Sequence, residues 1–278
     1  MPVRIVTDSS ADLPDQLIKE LGVAVVPIYV RFGEEVHRDR VTISEDEFYQ
    51  RLENTQVHPS TVQPGPQDFL EVYQKVSAGA DGIVSIHISS KLSGTCNSAL
   101  MARDMLEGGC PVEVIDTYAT TMGLGLVVIA AARMAKAGES MDKVVAAAKE
   151  AIPQIHLLAM FDTLKYLLRG GRIGKAKALL GSVLNVKPMI SLKDGELVPV
   201  GQARNRAKGM DKLFDFAENT AGIQDLAIVY NTMPDEAQKL AERIGSVFAK
   251  EKIMMARVGP ALGVHMGPGM LIVVFREK

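Results

Sequence analysis

Residues 82–98 read Gly-Ile-Val-Ser-Ile-His-Ile-Ser-Ser-Lys-Leu-Ser-Gly-Thr-Cys-Asn-Ser and decide the fold. Their apolar, β-branched part, residues 83–88, predicts a buried strand. Hydroxyl side chains and a glycine follow, and a helical pattern then runs from Ala99 to Leu106. A strand, a Ser/Thr/Gly turn and a helix in this order direct N–H groups and hydroxyls toward an anion. Because the turn lacks the spacing of a P-loop or a dinucleotide fingerprint, it predicts a site for a small anion such as a carboxylate.

The composition limits the classes of function. A length of 278 residues is enough for two domains. A net charge of -2 with 5% aromatic residues and no Trp gives no basis for binding nucleic acid. Two cysteines and no paired histidines predict neither a disulfide framework nor a metal site, and no cofactor is expected. The N-terminus does not resemble a signal peptide and the longest apolar run, residues 122–132, is too short for a membrane span. We therefore expect a cytoplasmic protein without integral membrane association.

Strand and helix patterns alternate in the first half of the chain, which predicts a parallel sheet with helices on both faces. The predicted strands are residues 3–7, 83–88 and 112–116, and residues 23–30 form a further apolar run. The predicted helices are 14–21, 44–52, 66–76 and 123–136. Three prolines and a glycine predict that residues 57–66 form a fixed loop.

The second half is less regular. A strand is expected at residues 155–161, and a short helix at 163–168 ends before two glycines. An apolar helix is predicted at 175–184, and Asp194-Gly195 predicts a tight β-hairpin. Pro153 interrupts the pattern, so we place the domain boundary there and predict two α/β domains, residues 1–152 and 153–278.

Polar side chains follow several of the predicted strands. Asp8-Ser9-Ser10, residues 89–95 and Asp116-Thr117 should meet at one sheet edge, where open α/β sheets bind ligands. The same residue types also cap helices after strands, and capping or loop structure is the favoured interpretation for Asp8, Ser9, Ser10 and Asp116. At Ser93-Gly94-Thr95 both interpretations stay open, because the hydroxyls exceed what one cap needs.

Three further residues are candidates for the same site. Thr61 lies between two prolines that could direct its hydroxyl inward, although a surface threonine is the favoured interpretation of this segment taken alone. Arg172 follows two glycines and suits bidentate recognition of an anion. His265 lies in a Gly- and Pro-rich segment, residues 263–269, that is hard to explain as a surface turn, although a structural histidine remains an alternative.

Together these residues resemble the DegV family of bacterial fatty-acid-binding proteins. The matching segments run in family order along the whole chain, and so many matches are highly specific. They are Thr-Asp-Ser-Ser-Ala-Asp-Leu (7–13), Thr-Val-Gln-Pro (61–64), Ser-Ser-Lys-Leu-Ser-Gly-Thr (89–95), Asp-Thr (116–117), Gly-Leu-Gly (123–125), Leu-Arg-Gly-Gly-Arg-Ile (168–173), Leu-Asn-Val-Lys-Pro (184–188) and His265 with Gly-Pro-Gly (267–269). The chain departs from the family at Val62, where Ser is frequent, at Cys96, where an aromatic residue is common, and at Gln202, where Lys is common.

The resemblance implies a DegV-like α/β fold, with a mixed sheet in the C-terminal domain and one long-chain fatty acid between the domains. It implies that the carboxylate is bound by Thr61 and Ser93, with Gly94, Thr95 and His265 beside them. It further implies a non-enzymatic protein that presents the acid to an ATP-dependent fatty-acid kinase, which makes an acyl phosphate. The positions suited to kinase docking or phosphotransfer are Arg172, Arg204 and His265.

Two alternatives stay open. A hydrolase could use Ser93 and His265 with Asp8 or Asp116 as a triad, although no Gly-x-Ser-x-Gly nucleophile elbow is present. The other alternative is a carrier of a different acidic lipid.

Overall fold

A computed structural model of the protein describes residues 2–181 and 186–278. The strands in this part of the chain are β1 (Val3–Asp8), β2 (Ala24–Val26), β3 (Tyr29–Phe32), β4 (Glu35–Arg38), β5 (Ser60–Val62), β6 (Gly82–His87), β7 (Val112–Asp116), β8 (Ile155–Met160), β9 (Lys187–Lys193), β10 (Glu196–Ala203), β11 (Ile223–Tyr230), β12 (Ile253–Arg257) and β13 (Leu271–Glu277). The α-helices are α1 (Asp15–Leu21), α2 (Glu45–Asn54), α3 (Pro66–Ser77), α4 (Thr95–Met105), α5 (Thr121–Lys136), α6 (Met141–Ala151), α7 (Lys165–Arg169), α8 (Arg206–Glu218), α9 (Pro234–Ile244) and α10 (Pro260–Met266).

The first sheet has the order β2-β1-β6-β7 and all its pairings are parallel. Every residue of β6 is buried, as expected for a central strand of a parallel sheet that is covered on both faces. This confirms the strand, turn and helix predicted from residues 82–98. The apolar run at residues 23–30 forms two strands, β2 and the start of β3. They are separated by Pro27, which cannot donate a hydrogen bond to a sheet.

A small second sheet has the order β4-β3-β5. The prediction that residues 57–66 form only a loop is wrong, because β5 pairs antiparallel with β3, with Thr61 opposite Val30. The prolines at positions 59 and 64 lie just outside this short edge strand, where they remove no ladder hydrogen bond. The sheet packs against α2 and α10 in a cluster of buried apolar side chains, which fixes the position of Thr61.

The third sheet has the order β10-β9-β8-β13-β11-β12 and is mixed, since only β11 and β12 pair in parallel. The predicted hairpin is confirmed between β9 and β10. Asp194 and Gly195 have φ values of 51° and 80°, which suit the two central positions of a type I′ turn. Ser89 Oγ donates a hydrogen bond of 2.9 Å to the Gly195 carbonyl, so this turn touches the loop after β6.

Helix α5 joins the two large sheets. It contacts β1 and β6 on one side and β8, β11 and β13 on the other. Most of its residues are buried, as expected for a helix that is apolar nearly all round. The first and third sheets therefore share one core, and the fold is a two-domain α/β fold of the predicted class.

Two predicted segments of the second half differ in the structure. The helix expected at 175–184 is a 3₁₀ helix at Gly174–Leu179, and residues 182–185 lie outside the described residues. The Gly- and Pro-rich segment around His265 is mainly a helix, α10, with Pro260 at its start. A Cβ at Gly263 would lie 2.5 Å from Phe48 Cε1, so this glycine allows close packing rather than a turn. None of the helices in the described segments is both long and apolar enough to cross a membrane.

Candidate functional site

A cavity of about 370 Å³ lies where the carboxyl edge of the first sheet faces the second half of the chain. Its size falls within the range of small-molecule pockets. The wall is mainly apolar and includes Ile28, Ile88, Leu92, Leu167, Leu197 and Leu262. The polar side chains in the wall are Thr61, Gln63, Ser93, Thr120, Arg172 and His265. Four residues predicted from sequence thus line one cavity, namely Thr61, Ser93, Arg172 and His265.

Thr61 and His265 form a pair across the cavity wall. Thr61 Oγ1 and His265 Nε2 are 2.9 Å apart, and the two residues are held by β5 and by the last turn of α10. A Cβ at Gly170 would lie 2.0 Å from His265 Nδ1, so the imidazole occupies space that only a glycine leaves free. Within the described chain, Nδ1 is buried without a hydrogen-bond partner. His265 is therefore held by Thr61 and by packing.

The imidazole of His265 is neutral at pH 7. Burial, followed by the nearby positive charge of Arg172, lowers the pKa of His265 from 6.5 to about 4. A neutral imidazole with its proton on Nε2 donates to Thr61 Oγ1, which leaves the Thr61 hydroxyl hydrogen free for a third group. The pair can thus deliver one hydrogen-bond donor to a ligand in the cavity.

We expect His265 to titrate with a pKa of about 4 in the unliganded protein. The measurement is an NMR titration of ¹³C-labelled imidazole, with His265→Gln identifying the resonance. A midpoint near the ordinary histidine value would show that the ring is solvated, which contradicts the buried pair.

Ser93 and Gly94 end the turn that precedes α4, and Thr95 is the first residue of that helix. Ser93 Oγ and Thr95 Oγ1 are 2.8 Å apart, and the Thr95 N–H donates to Ser93 Oγ at 3.3 Å. Gly94 and Thr95 are absent from the cavity wall, and Thr95 is fully buried. They hold Ser93, whose hydroxyl lies at the N-terminal end of α4, where the helix dipole favours a negative group.

Arg172 bridges the two halves of the chain. Its Nε donates to the Leu92 carbonyl at 3.3 Å and its Nη1 to the Gly170 carbonyl at 2.7 Å. Its guanidinium has no carboxylate partner within the described residues, and it lies exposed at the cavity wall. Arg204 is exposed and does not line the cavity.

The carboxylates proposed for a hydrolase triad have other partners. Asp8 accepts from the Ser10 N–H at 3.1 Å and contacts His87 Nδ1 at 3.0 Å. Asp116 accepts from the N–H groups of Ser90 and Tyr118. Asp8 thus caps the 3₁₀ turn at Ser9–Ala11, whereas Asp116 caps no helix and stabilises the loops after β6 and β7. Neither carboxylate orients His265.

Sequence reasoning missed Thr120 and Gln63 in the cavity wall. Thr120 is the last residue of the loop after β7, in which only Asp116 and Thr117 were predicted as candidates. A run of hydroxyl residues after a strand, as at Ser93, is the signal that could have found it. Gln63 donates to Ser98 Oγ at 3.2 Å and so packs against the start of α4. In the described part of the chain, no three His, Cys, Asp or Glu side chains are grouped to hold a metal ion.

The fold and the cavity define a class of two-domain α/β proteins with a pocket between the two halves of the chain. The model of the DegV family, a family of uncharacterised proteins, matches residues 2–278, and the chain belongs to that family. A DegV domain-containing protein of Streptomyces coelicolor is 38% identical, with 99% of both chains covered. A solved DegV family protein of Thermus thermophilus, described for its fatty-acid binding, is 33% identical over all of both chains, with a TM-score of 0.91. A stearic-acid-binding protein of Eubacterium ventriosum is 27% identical, with 99% of this chain and 98% of that chain covered and a TM-score of 0.89.

Proposed function

We propose that this protein binds one long-chain fatty acid in the cavity, with the carboxylate at Thr61 and Ser93. The observation that carries the proposal is that these two hydroxyl residues line the same cavity, whose wall is otherwise mainly apolar. Solved relatives that are described as fatty-acid-binding proteins support it. The two predicted domains, residues 1–152 and 153–278, would each supply part of the wall.

The energetics of such a ligand match the site. Each buried methylene contributes about 0.8 kcal/mol, and association and ordering offset part of that sum. A carboxylate without donors would be too costly to bury. The Thr61 hydroxyl, free to donate because His265 donates to it, and the Ser93 hydroxyl at the start of α4 would supply two donors.

The acid would be presented in the cytoplasm to an ATP-dependent fatty-acid kinase. The kinase would transfer the terminal phosphoryl group of ATP to the carboxylate, which gives an acyl phosphate and ADP. In this scheme the kinase binds ATP and the present chain binds and presents the acid. Arg172, exposed beside the cavity and without an acidic partner in the described chain, would contact the kinase or the transferred phosphoryl group. Arg204 would extend the basic surface.

Native mass spectrometry of the purified protein tests the binding proposal, with extraction and identification of any ligand. We expect one fatty acid per chain, and we expect a fatty acid methyl ester to compete poorly because it carries no charge for the donors to stabilise. A protein that is empty and takes up no added fatty acid would overturn the proposal. Hydrolysis of an ester by the purified protein would favour the hydrolase alternative.

Arg172→Ala separates binding from presentation. We expect fatty-acid affinity to change little and the rate of kinase-dependent acyl phosphate formation to fall at least about tenfold, because one charge-assisted hydrogen bond contributes about 1.5–3 kcal/mol. Arg172→Lys keeps the charge and should recover part of the rate. Turnover equal to that of the wild type would remove Arg172 from this role.

A further inference from the structure

Thr120 carries a buried hydroxyl that nothing in the described chain pairs. The residue lines the cavity and is 4% exposed, and its Oγ1 has no hydrogen-bond partner among the described residues. A buried polar group without a partner destabilises the state in which it is left unpaired. The apo fold therefore keeps a hydroxyl in an unfavourable setting within a mainly apolar wall.

The position of Thr120 before a helix makes its missing hydrogen bond unusual. Thr120 immediately precedes α5, a helix of 16 residues, at the position where threonine normally accepts a hydrogen bond from the first turn. Its side chain makes no such bond. Among the hydrogen bonds of the described chain, none satisfies the N–H groups of Thr121 and Met122. The start of α5 thus combines a free hydroxyl with free N–H groups at the positive end of a long helix.

The turn that holds Thr120 is strained. Thr121 has a φ of 48°, and a β-branched residue in the left-handed region is a genuine outlier. Its Oγ1 donates to Asp12 Oδ2 at 2.7 Å, a bond that fixes the turn from the core side. Strain of this kind persists where the surroundings enforce it, and it concentrates at ligand contacts and other functional sites.

We propose that Thr120 is a second polar contact for the ligand and that the preferred ligand is a long-chain acid with an oxygen on its chain, as a hydroxyl or a keto group. This inference rests on the proposed function, because it assigns the carboxylate to Thr61 and Ser93. Ser93 precedes α4 and Thr61 is hydrogen-bonded to His265 of α10, whereas Thr120 lies at the start of α5. Thr120 Oγ1 is itself buried behind the wall, so its side chain would rotate toward the cavity to pair with an oxygenated chain, whereas an unmodified chain would leave the hydroxyl unpaired.

The test compares wild-type protein with Thr120→Val, which has nearly the same shape, and Thr120→Ser, which keeps the hydroxyl. The probes are stearic acid, hydroxystearic acids with the hydroxyl near the carboxyl end, in the middle or near the methyl end, and a mid-chain oxostearic acid. We expect the wild type to prefer at least one oxygenated acid over stearic acid. Thr120→Val should bind stearic acid more tightly and that oxygenated acid more weakly, so that the preference falls by about fivefold, the effect of one hydrogen bond. Thr120→Ser should retain the preference.

Three outcomes would overturn the inference. The first is the same preference in the wild type and in Thr120→Val. The second is an equal loss of affinity for every acid in Thr120→Val, because Thr120 would then serve the carboxylate. The third is a wild type that binds none of the probes, which overturns the proposed function as well. In the first two outcomes the wild type still binds stearic acid, so they overturn this inference and leave the proposed function standing.

Discussion

Replacing Arg40 by methionine is expected to lower the free energy of unfolding by about 3–5 kcal/mol, the effect of removing one partner from a buried ion pair. Arg40 lies between two acidic residues that are almost fully buried, Asp12 and Asp39. Its Nη2 is 3.4 Å from Asp12 Oδ1 and its Nε is 3.0 Å from Glu45 Oε1. It also donates to the carbonyls of Leu13 and Arg257. The substitution would leave the buried carboxyl groups without their positive neighbour.

The loss should depend on pH. Burial raises the pKa of Asp12 to about 7 and that of Asp39 to about 6, against the opposing effect of Arg40. Because both values exceed the unfolded value of 3.8, the folded state holds these protons more tightly. The two groups therefore favour the folded state less as the pH rises from about 4 to 7. Without Arg40 their pKa values rise further, so the loss should be larger at pH 8 than at pH 5, where both carboxyls are already largely protonated.

Urea denaturation at the two pH values measures this effect. Arg31→Met is the matched control, because Arg31 is exposed and its side chain makes, among the described residues, one long hydrogen bond of 3.4 Å to the Gly33 carbonyl. An equal loss for Arg40→Met at both pH values, or a loss no larger than that of the control, would show that Arg40 does not neutralise the buried carboxyls.

Asp12, one of the two buried acidic neighbours of Arg40, also connects the halves of the chain at the site. Asp12 Oδ1 accepts from the Gly259 N–H at 2.8 Å, just before α10, and Asp12 Oδ2 accepts from Thr121 at the start of α5. Asp12 therefore anchors the two helices that carry His265 and Thr120 into the cavity wall. The buried carboxyl group of Asp12 thus fixes the positions of the two sides of the site relative to each other.

The sequence predicted the central parts of the fold because their patterns are local. The buried strand β6, its hydroxyl turn and the Asp194-Gly195 hairpin each depend on neighbouring residues. The missed elements depend on distant partners. The strand β5 has only three residues and exists because β3 pairs with it, and α10 contains a glycine whose small size is required by Phe48. The glycines and prolines in both segments predict an interruption of regular secondary structure, although in the folded protein they permit packing.

The candidate site shows the same division. Thr61, Ser93, Arg172 and His265 were identified as separate candidates, yet Thr61 and His265 are 204 positions apart and their hydrogen bond could not be inferred from either segment alone. Thr120 was not predicted, because the candidates in the loop after β7 ended at Thr117, and a threonine before a helix is normally its cap. Only the structure shows that this hydroxyl makes no capping bond. The helix predicted at 123–136 belongs to the core rather than to the cavity wall, since it is buried between the two large sheets.

Removing both proposed carboxylate donors is the second change with a large expected effect. Thr61→Val and Ser93→Ala should each weaken fatty-acid binding by about 1–3 kcal/mol, and the double variant by about 2–4 kcal/mol, because the buried carboxylate would lose its partners. Thr61→Val also removes the acceptor for His265 Nε2, so the imidazole resonance should shift in that variant alone. Isothermal titration with stearic acid measures the affinities.

The methyl ester of stearic acid distinguishes a head-group effect from a general disturbance of the cavity. Loss of hydroxyls that serve a carboxylate should reduce the affinity for the acid much more than that for the neutral ester, since the ester needs less stabilisation from donors. Ser77→Ala is the matched control, because its hydroxyl bonds within α3 and lies outside the cavity wall. An equal loss for acid and ester would mean that Thr61 and Ser93 shape the cavity without binding the charge. Unchanged acid affinity in the double variant would move the carboxylate elsewhere, with the start of α5 as the next position to examine.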